Sequence, residues 1–357
     1  MVGCNVLLKL ENLQPSGSFK SRGIGNLILS KIRNAASPAK VHFYSSSGGN
    51  AGLACVDAAT SLGFAASVVV PLTTSPLMVA KIEKAGAREI VQRGASWQEA
   101  DDFLVGQVMP AARARGEEPV YVPPFDAPEI WDGYAAIPVE IWRQLQGASL
   151  AGPNGQGQDH DHNNGQDQGQ DSDQDQDQDQ GQHLAKIDAI ICSVGGGGLL
   201  CGIMQGLDSL ATTRHRPRLI AMETAGADSL AQSLLQQQHV TLAGITSLAT
   251  SLGARRVAEQ AFRYALRSHQ VTSVVLTDED AICACRRFLD EERFLVELAC
   301  GVCLALCYHG RVAELVPGFS RDSVVVVVVC GGSNMSLGML TAYMDRLPLG
   351  CANQDCP

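Results

Sequence analysis

Residues 187–210 read IDAIICSVGGGGLLCGIMQGLDSL. A short apolar run of strand length leads into four glycines, Gly195 to Gly198, and then into an apolar segment of helical length. A strand that turns through glycines into a helix is the building unit of α/β proteins with parallel sheets. Glycines let backbone N–H groups approach a ligand closely. A helix that starts just behind them offers free donors and a positive dipole end, which suits a phosphate. Neither a G-x-G-x-x-G register nor a G-x-x-x-x-G-K-[ST] motif runs through the stretch, so a dinucleotide or nucleoside triphosphate is disfavoured. One small phosphate group fits better. A tight strand–helix turn without any ligand is the plain alternative.

The same unit recurs outward from this stretch. Residues 41–63, VHFYSSSGGNAGLACVDAATSLG, read as strand, glycine turn and helix. Strands are expected in AASVVVP (65–71), EIVQRG (89–94) and RLIAMET (218–224), and helices in SPLMVAKIEKAGA (75–87) and SWQEADDFLVGQVMPAARARG (96–116). Near the end, SVVVVVVCGGSN (323–334) holds six consecutive valines, Val324 to Val329. An unbroken β-branched run predicts a strand buried on both faces, as in a parallel sheet. Ligands in such folds collect where strands end and helices begin. Three such ends carry glycines: Ser45–Gly52 (SSSGGNAG), Ser193–Gly202 (SVGGGGLLCG) and Cys330–Ser336 (CGGSNMS).

The bulk properties narrow the partner. The chain has 357 residues, 45% hydrophobic and 18% charged, with a formal net charge of -10. That length suits two domains at the usual ~150 residues each. The acidic balance and the lack of a basic patch disfavour nucleic acid and anionic membranes. No apolar run reaches the ~18 residues of a membrane helix. The start, MVGCNVLLKLENLQ, has neither a basic leader nor a small-residue cleavage site. These features imply a soluble, cytoplasmic protein with a small-molecule partner.

The 12 cysteines are expected to be buried thiols rather than a disulfide framework. Cys300, Cys303 and Cys307, followed by His309, share one helical face, where thiols could hold zinc. Their Ala, Val and Leu neighbours favour a structural apolar face, since free cysteine packs as a small hydrophobe. Residues 152–182 form a Gln/Asp/Gly tract with no aliphatic or aromatic residue. It is expected to be a disordered insertion, and His160 and His162 within it to be solvated.

Seven lysines are present: Lys9, Lys20, Lys31, Lys40, Lys81, Lys84 and Lys186. Six lie in ordinary amphipathic or strand-edge contexts. Lys20 alone follows a Pro-Ser-Gly turn and an aromatic residue and opens a small-residue helix, in LENLQPSGSFKSRGIGN (10–26). An amine against an apolar wall and near other positive charge has a lowered pKa and is nucleophilic. A reactive lysine, a phosphate cradle and a third glycine turn together suggest pyridoxal phosphate.

PSGSFKSRG, SSSGGNAG, SVGGGGLLCG and CGGSN stand in the order seen in fold-type II pyridoxal-phosphate enzymes, the tryptophan synthase β-like group, which this chain resembles outside the Gln/Asp tract. PPFDAPEIWDGYAAI (123–137), AMETAGA (221–227) and ITSLATSLGA (245–254) make it most similar to the short L-serine/L-threonine dehydratases. The resemblance implies two open, mainly parallel twisted sheets flanked by helices, with the cofactor in a cleft between two domains. Residues 1–19 and 120–357 would form the large cofactor domain, and 20–119 the small substrate-loop domain. It implies Lys20 as Schiff-base lysine and proton carrier, and Phe19 beside the ring. Ser46, Ser47, Gly48, Gly49 and Asn50 would hold the substrate carboxylate, with Ser47 also in a catalytic role and Asn50 facing the ring oxygen. Gly195, Gly196, Gly197, Gly198 and Leu199 would bind the phosphate, and Cys330 would meet the ring nitrogen. A potassium-type site of backbone carbonyls is implied near Gly195, Ala227, Leu252 and Ala254, with Glu223 close to it or to the ring.

A thiol does not enforce a protonated ring, so a long-lived carbanion is less favoured and loss of the β-hydroxyl becomes easier. The implied reaction converts L-serine or L-threonine to a 2-oxo acid and ammonia, in a homodimer. Two other readings stay open: serine racemization or β-replacement on the same scaffold, and an inactive cofactor-binding protein. Gly48 stands where some relatives have alanine, and Ser251 where a small apolar residue often flanks the ring. Relatives usually have a further strand and helix, roughly twenty residues, ahead of this start, so support for Lys20 is expected to be reduced. The early end implies no C-terminal regulatory domain.

Overall fold

The computed structural model describes residues 3–150, 186–210, 216–267 and 269–347. The Gln/Asp tract of 152–182, with His160 and His162, lies outside them. The strands are β1 (Asn5–Leu10), β2 (Val41–Ser45), β3 (Ala65–Val70), β4 (Glu89–Gln92), β5 (Glu118–Tyr121), β6 (Ala189–Ser193), β7 (Arg218–Thr224), β8 (Val271–Leu276) and β9 (Val324–Val329). They form two sheets, in which every pairing is parallel: β1-β9-β6-β7-β8 and β4-β3-β2-β5. Helices flank both, in the expected α/β arrangement.

The valine run is an interior strand. Val324–Val329 pairs residue for residue with Asn5–Leu10 on one side, and Val325–Val327 with Ala189–Ile191 on the other. Val325 to Val329 are buried, as a strand covered on both faces requires. The apolar run near the start is β1, the edge of this sheet; alone it carried no strand signal, because its partner lies more than three hundred residues away.

Two other details depart from expectation. Residues 96–116 are not one regular helix. Trp97–Phe103 and Met109–Ala114 are α-helical, and Leu104–Val108 between them is a π-helical turn. Pro110, just past that turn, has no N–H to donate back into it. Cys283 is disulfide-bonded, while nine other described cysteines are free thiols.

Cys300, Cys303 and Cys307 lie on the helix Leu298–Tyr308, whose residues Leu298 to Cys307 are all buried. It packs against β6, β7 and β9. Among the described residues no group of three or more His, Cys, Asp or Glu side chains is disposed to hold a metal ion. Among the same residues no helix is long and apolar enough to cross a membrane.

Lys20 opens the helix Lys20–Asn34. The base of that helix is held by charge. The Arg22 guanidinium donates to Glu11 at 2.6 Å and to Glu140 at 2.6 Å, and Lys9 donates to the same Glu140 at 2.7 Å. Glu11 is only 1% exposed, so its charge depends on Arg22. These contacts tie the lysine's turn to the edge strand and to the helix that carries Glu140.

Candidate active site

The three glycine turns and the Lys20 turn converge on one cavity. Its walls include Ser18, Phe19, Lys20, Asn50, Gly195 to Leu199, Glu297 and Cys330. All nine residues expected to contact the cofactor line it: Phe19, Lys20, Asn50, Gly195, Gly196, Gly197, Gly198, Leu199 and Cys330. Of the expected substrate loop, only Asn50 does so; Ser46, Ser47, Gly48 and Gly49 form the turn behind it. Of the expected cation-site residues, Gly195 and Leu252 line the cavity, and Ala227 and Ala254 lie outside its lining.

Four helices start at this cavity, at Lys20, Asn50, Gly198 and Leu298, and none has a side-chain cap. Ser75, Ser96, Thr277 and Ser336 cap helices whose starts do not line it. Uncapped starts leave backbone donors free for a ligand.

The glycines are there because backbones and rings come too close for a Cβ. At Gly52 a Cβ would lie 1.8 Å from the Ser47 carbonyl oxygen. At Gly196 it would lie 2.2 Å from the Phe125 ring, and Gly197 is left-handed at φ 82°. Gly331, at φ 79°, admits the Gly17 carbonyl; Gly332, at φ 124°, admits the Glu297 side chain. The third turn is thus laced to the first: Phe19 N–H donates to the Cys330 carbonyl at 3.1 Å, and Gly332 N–H to the Gly17 carbonyl at 2.9 Å.

Lys20 Nζ donates to the Pro124 carbonyl at 2.9 Å and lies 5.1 Å from the centroid of the Phe19 ring. Burial of the amine pushes its pKa down to about 8, against the pull of Cys330 and Glu297. The apolar wall expected from the sequence is present. The expected positive neighbour is not the cause, since both charges acting on Lys20 are acidic groups and act in the other direction. Cys330 hydrogen-bonds with Cys300, which lowers its pKa, and accepts from Ser193 Oγ at 3.5 Å.

Glu223 does not line the cavity. Its carboxylate accepts from the Leu230 and Ala231 N–H groups at 2.8 Å each, at the start of the helix Ser229–Leu235, and burial raises its pKa to about 8. The carboxylate that does reach the cavity is Glu297, which the sequence reading missed, along with Ser18, Phe125, Tyr134 and Ser193. Glu297 stands between an irregular stretch and a helix, and its partners are remote in sequence, so spacing gave no cue.

These residues fit pyridoxal phosphate on two structural grounds. The Gly195–Gly198 turn is open to a phosphate at the uncapped start of Gly198–Ser209. The buried hydroxyls of Ser18 and Tyr134 border the cavity and have no hydrogen-bond partner among the described residues, although buried polar atoms normally have one.

Comparison with known proteins agrees. The sequence is 40% identical over 333 residues to an L-serine dehydratase of Saccharomyces cerevisiae strain AWRI1631, covering 92% of this chain and 88% of that protein. It is 36% identical to the human L-serine dehydratase/L-threonine deaminase, covering 97% and 91%. The fold matches the crystal structure of a fungal L-serine ammonia-lyase from Rhizomucor miehei with a TM-score of 0.75, at 30% identity, over 97% of this chain and 94% of that one. The Pyridoxal-phosphate dependent enzyme family matches residues 1–157 and 176–331, and the chain belongs to that family.

Proposed function

We propose that this chain is an L-serine/L-threonine dehydratase, an ammonia-lyase that removes water from the amino acid and releases pyruvate or 2-oxobutanoate with ammonia. The observation that carries the reading is the meeting of Lys20, the Gly195–Gly198 turn, Asn50 and a thiol, Cys330, in one cavity. The identity to L-serine dehydratases over nearly the whole chain supports it.

In this reading Gly195 to Leu199 hold the phosphate, Lys20 the reactive carbon, Asn50 the ring oxygen and Cys330 the ring nitrogen. When bound, pyridoxal phosphate supplies the electron withdrawal that loosens the substrate Cα–H bond. The Ser46–Asn50 turn, at the uncapped start of Asn50–Ser61, takes the substrate carboxylate on its backbone N–H groups. Lys20 Nζ, with a pKa near 8, takes the α-proton as a general base. Cys330 would give the ring nitrogen a thiol partner in place of a carboxylate. Backbone carbonyls near Gly195, Ala227, Leu252 and Ala254 would take a potassium ion. We read the chain as a small domain around β2–β5 and a large domain around the other strands, as a homodimer, acting in the cytoplasm.

The test is direct. Purified protein with pyridoxal phosphate should form 2-oxo acid from L-serine or L-threonine, and Lys20→Ala should abolish both turnover and the visible band of lysine-bound cofactor. Absence of that band in the wild type, or its survival in Lys20→Ala, overturns the reading.

A further inference from the structure

Glu297 has no role in the account above. It sits at the N-cap of Leu298–Tyr308, where an acidic side chain ordinarily folds back onto the helix's own N–H groups. It does not: the helix has no side-chain cap. The residue is 4% exposed, and among the described residues it makes no ion pair. A carboxylate withdrawn from water needs other partners, and three donors supply them. Oε1 accepts from Asn50 Nδ2 at 2.8 Å and from Asn334 N–H at 2.6 Å, and Oε2 accepts from the Ser251 hydroxyl. Room for the carboxylate exists only because residue 332 is glycine: a Cβ there would stand 2.3 Å from Glu297 Cδ.

These bonds settle the polarity of Asn50. Its Oδ1 accepts from the Ser333 backbone N–H at 2.7 Å. A backbone N–H can only donate, and a carboxylate only accepts. The oxygen therefore faces Ser333 and the NH2 faces Glu297, and the second N–H has only a long contact, to the Ser251 hydroxyl at 3.5 Å, on a side chain that lines the cavity. A carboxamide held at one end only could flip and present its oxygen instead, and a ring oxygen, an acceptor, would then meet an acceptor.

We propose that Glu297 is a positioning residue for the cofactor ring: together with the Ser333 N–H it locks the Asn50 carboxamide with its NH2 toward the cavity, so that the ring oxygen meets a donor. The inference rests on the reading of Asn50 as the partner of that oxygen. Ser251 belongs to the same device. Its hydroxyl holds the second carboxylate oxygen. The carboxylate thereby joins the Asn50 helix, the Thr250–Leu252 turn and the third glycine turn at one point.

The test is a double-mutant cycle on cofactor binding rather than on turnover. Pyridoxal-phosphate affinity and the visible band are measured for wild type, Glu297→Ala, Asn50→Ala and the double variant, with Glu297→Gln as a shape-preserving variant should the alanine form not fold. Each single change is expected to weaken binding about tenfold, the loss of roughly one positioned hydrogen bond, and to shift the band. In the Asn50→Ala background, replacing Glu297 should add little, because the two act as a unit. Additive losses, or an unchanged affinity and band in Glu297→Ala or Glu297→Gln, overturn the assignment alone. A wild type that takes up no cofactor overturns the functional reading and the assignment with it.

Discussion

The state of the Lys20 amine can be tested through pH. Burial holds its pKa at about 8 in place of 10.5. At pH 7 an amine of pKa 8 is neutral for about one molecule in ten, whereas at 10.5 the fraction is about one in three thousand. The cavity thus makes the nucleophilic form on the order of 300-fold more abundant at neutral pH. The assay mixes cofactor-free protein with pyridoxal phosphate and follows the visible band by stopped flow across pH, with N-acetyl-lysine amide as control. The protein rate should rise about tenfold per pH unit and level off near pH 8, while the amide should keep rising toward about pH 10.5. Glu297→Gln should move the protein's midpoint lower, because the carboxylate is one of the two groups that hold it up. Linkage gives a second check. Between about pH 8 and 10.5 the unfolded chain binds the proton that the folded chain has lost, so this lysine makes the cofactor-free protein more stable as pH rises through that window. A rate that climbs past pH ~9.5 in step with the amide would refute the reasoning, since it would mean that the amine is solvated like a free one.

Three further outcomes are expected. Gly52→Ala forces a Cβ into the Ser47 carbonyl, which is backbone and cannot swing aside; a loss of about 3 kcal/mol should show in chemical denaturation, and an unchanged midpoint would mean that the turn is not closed as described. Gly48→Ala puts a Cβ 2.4 Å from Thr74 Oγ1 and 2.6 Å from its Cγ2, so the Thr74 side chain must shift; stability should fall by about 1–3 kcal/mol in chemical denaturation, and an unchanged midpoint would mean that the two residues do not meet as described. Arg22→Met leaves Glu11 buried and unpaired and should cost about 3–5 kcal/mol by urea unfolding. In the wild type, Arg22 and Lys9 hold Glu140 at about 2, so its stabilising share is present above its ordinary value of 4.5 and lost as pH falls toward 2; in Arg22→Met that acid-dependent share should shrink.

The strand–turn–helix units could be read in the chain because their causes are local. Six valines in a row can satisfy their side chains only inside a sheet, and a glycine run between strand and helix marks a close backbone approach. Lys20 was also within reach, since few lysines were available and one followed a turn. Glu297 was not. A glutamate beside an apolar helix has no distinctive spacing, and its partners Asn50, Ser251 and Asn334 come from three other parts of the chain. The same holds for Tyr134, which reaches the cavity through its packing 5.0 Å from the Phe19 ring.

The amino-acid sequence by itself determined the α/β units, the turns that face a ligand and the lysine among them, because backbone sterics and hydrophobic runs act over a few residues. The tertiary structure alone decided how those turns meet. Parallel pairing of β1 with β9 brings the Lys20 turn beside Cys330 and Gly331. That contact encloses the amine, and burial rather than a nearby positive charge lowers its pKa. The same convergence draws in a carboxylate that orients Asn50, since hydrogen bonds and desolvation depend on which atoms are adjacent in space.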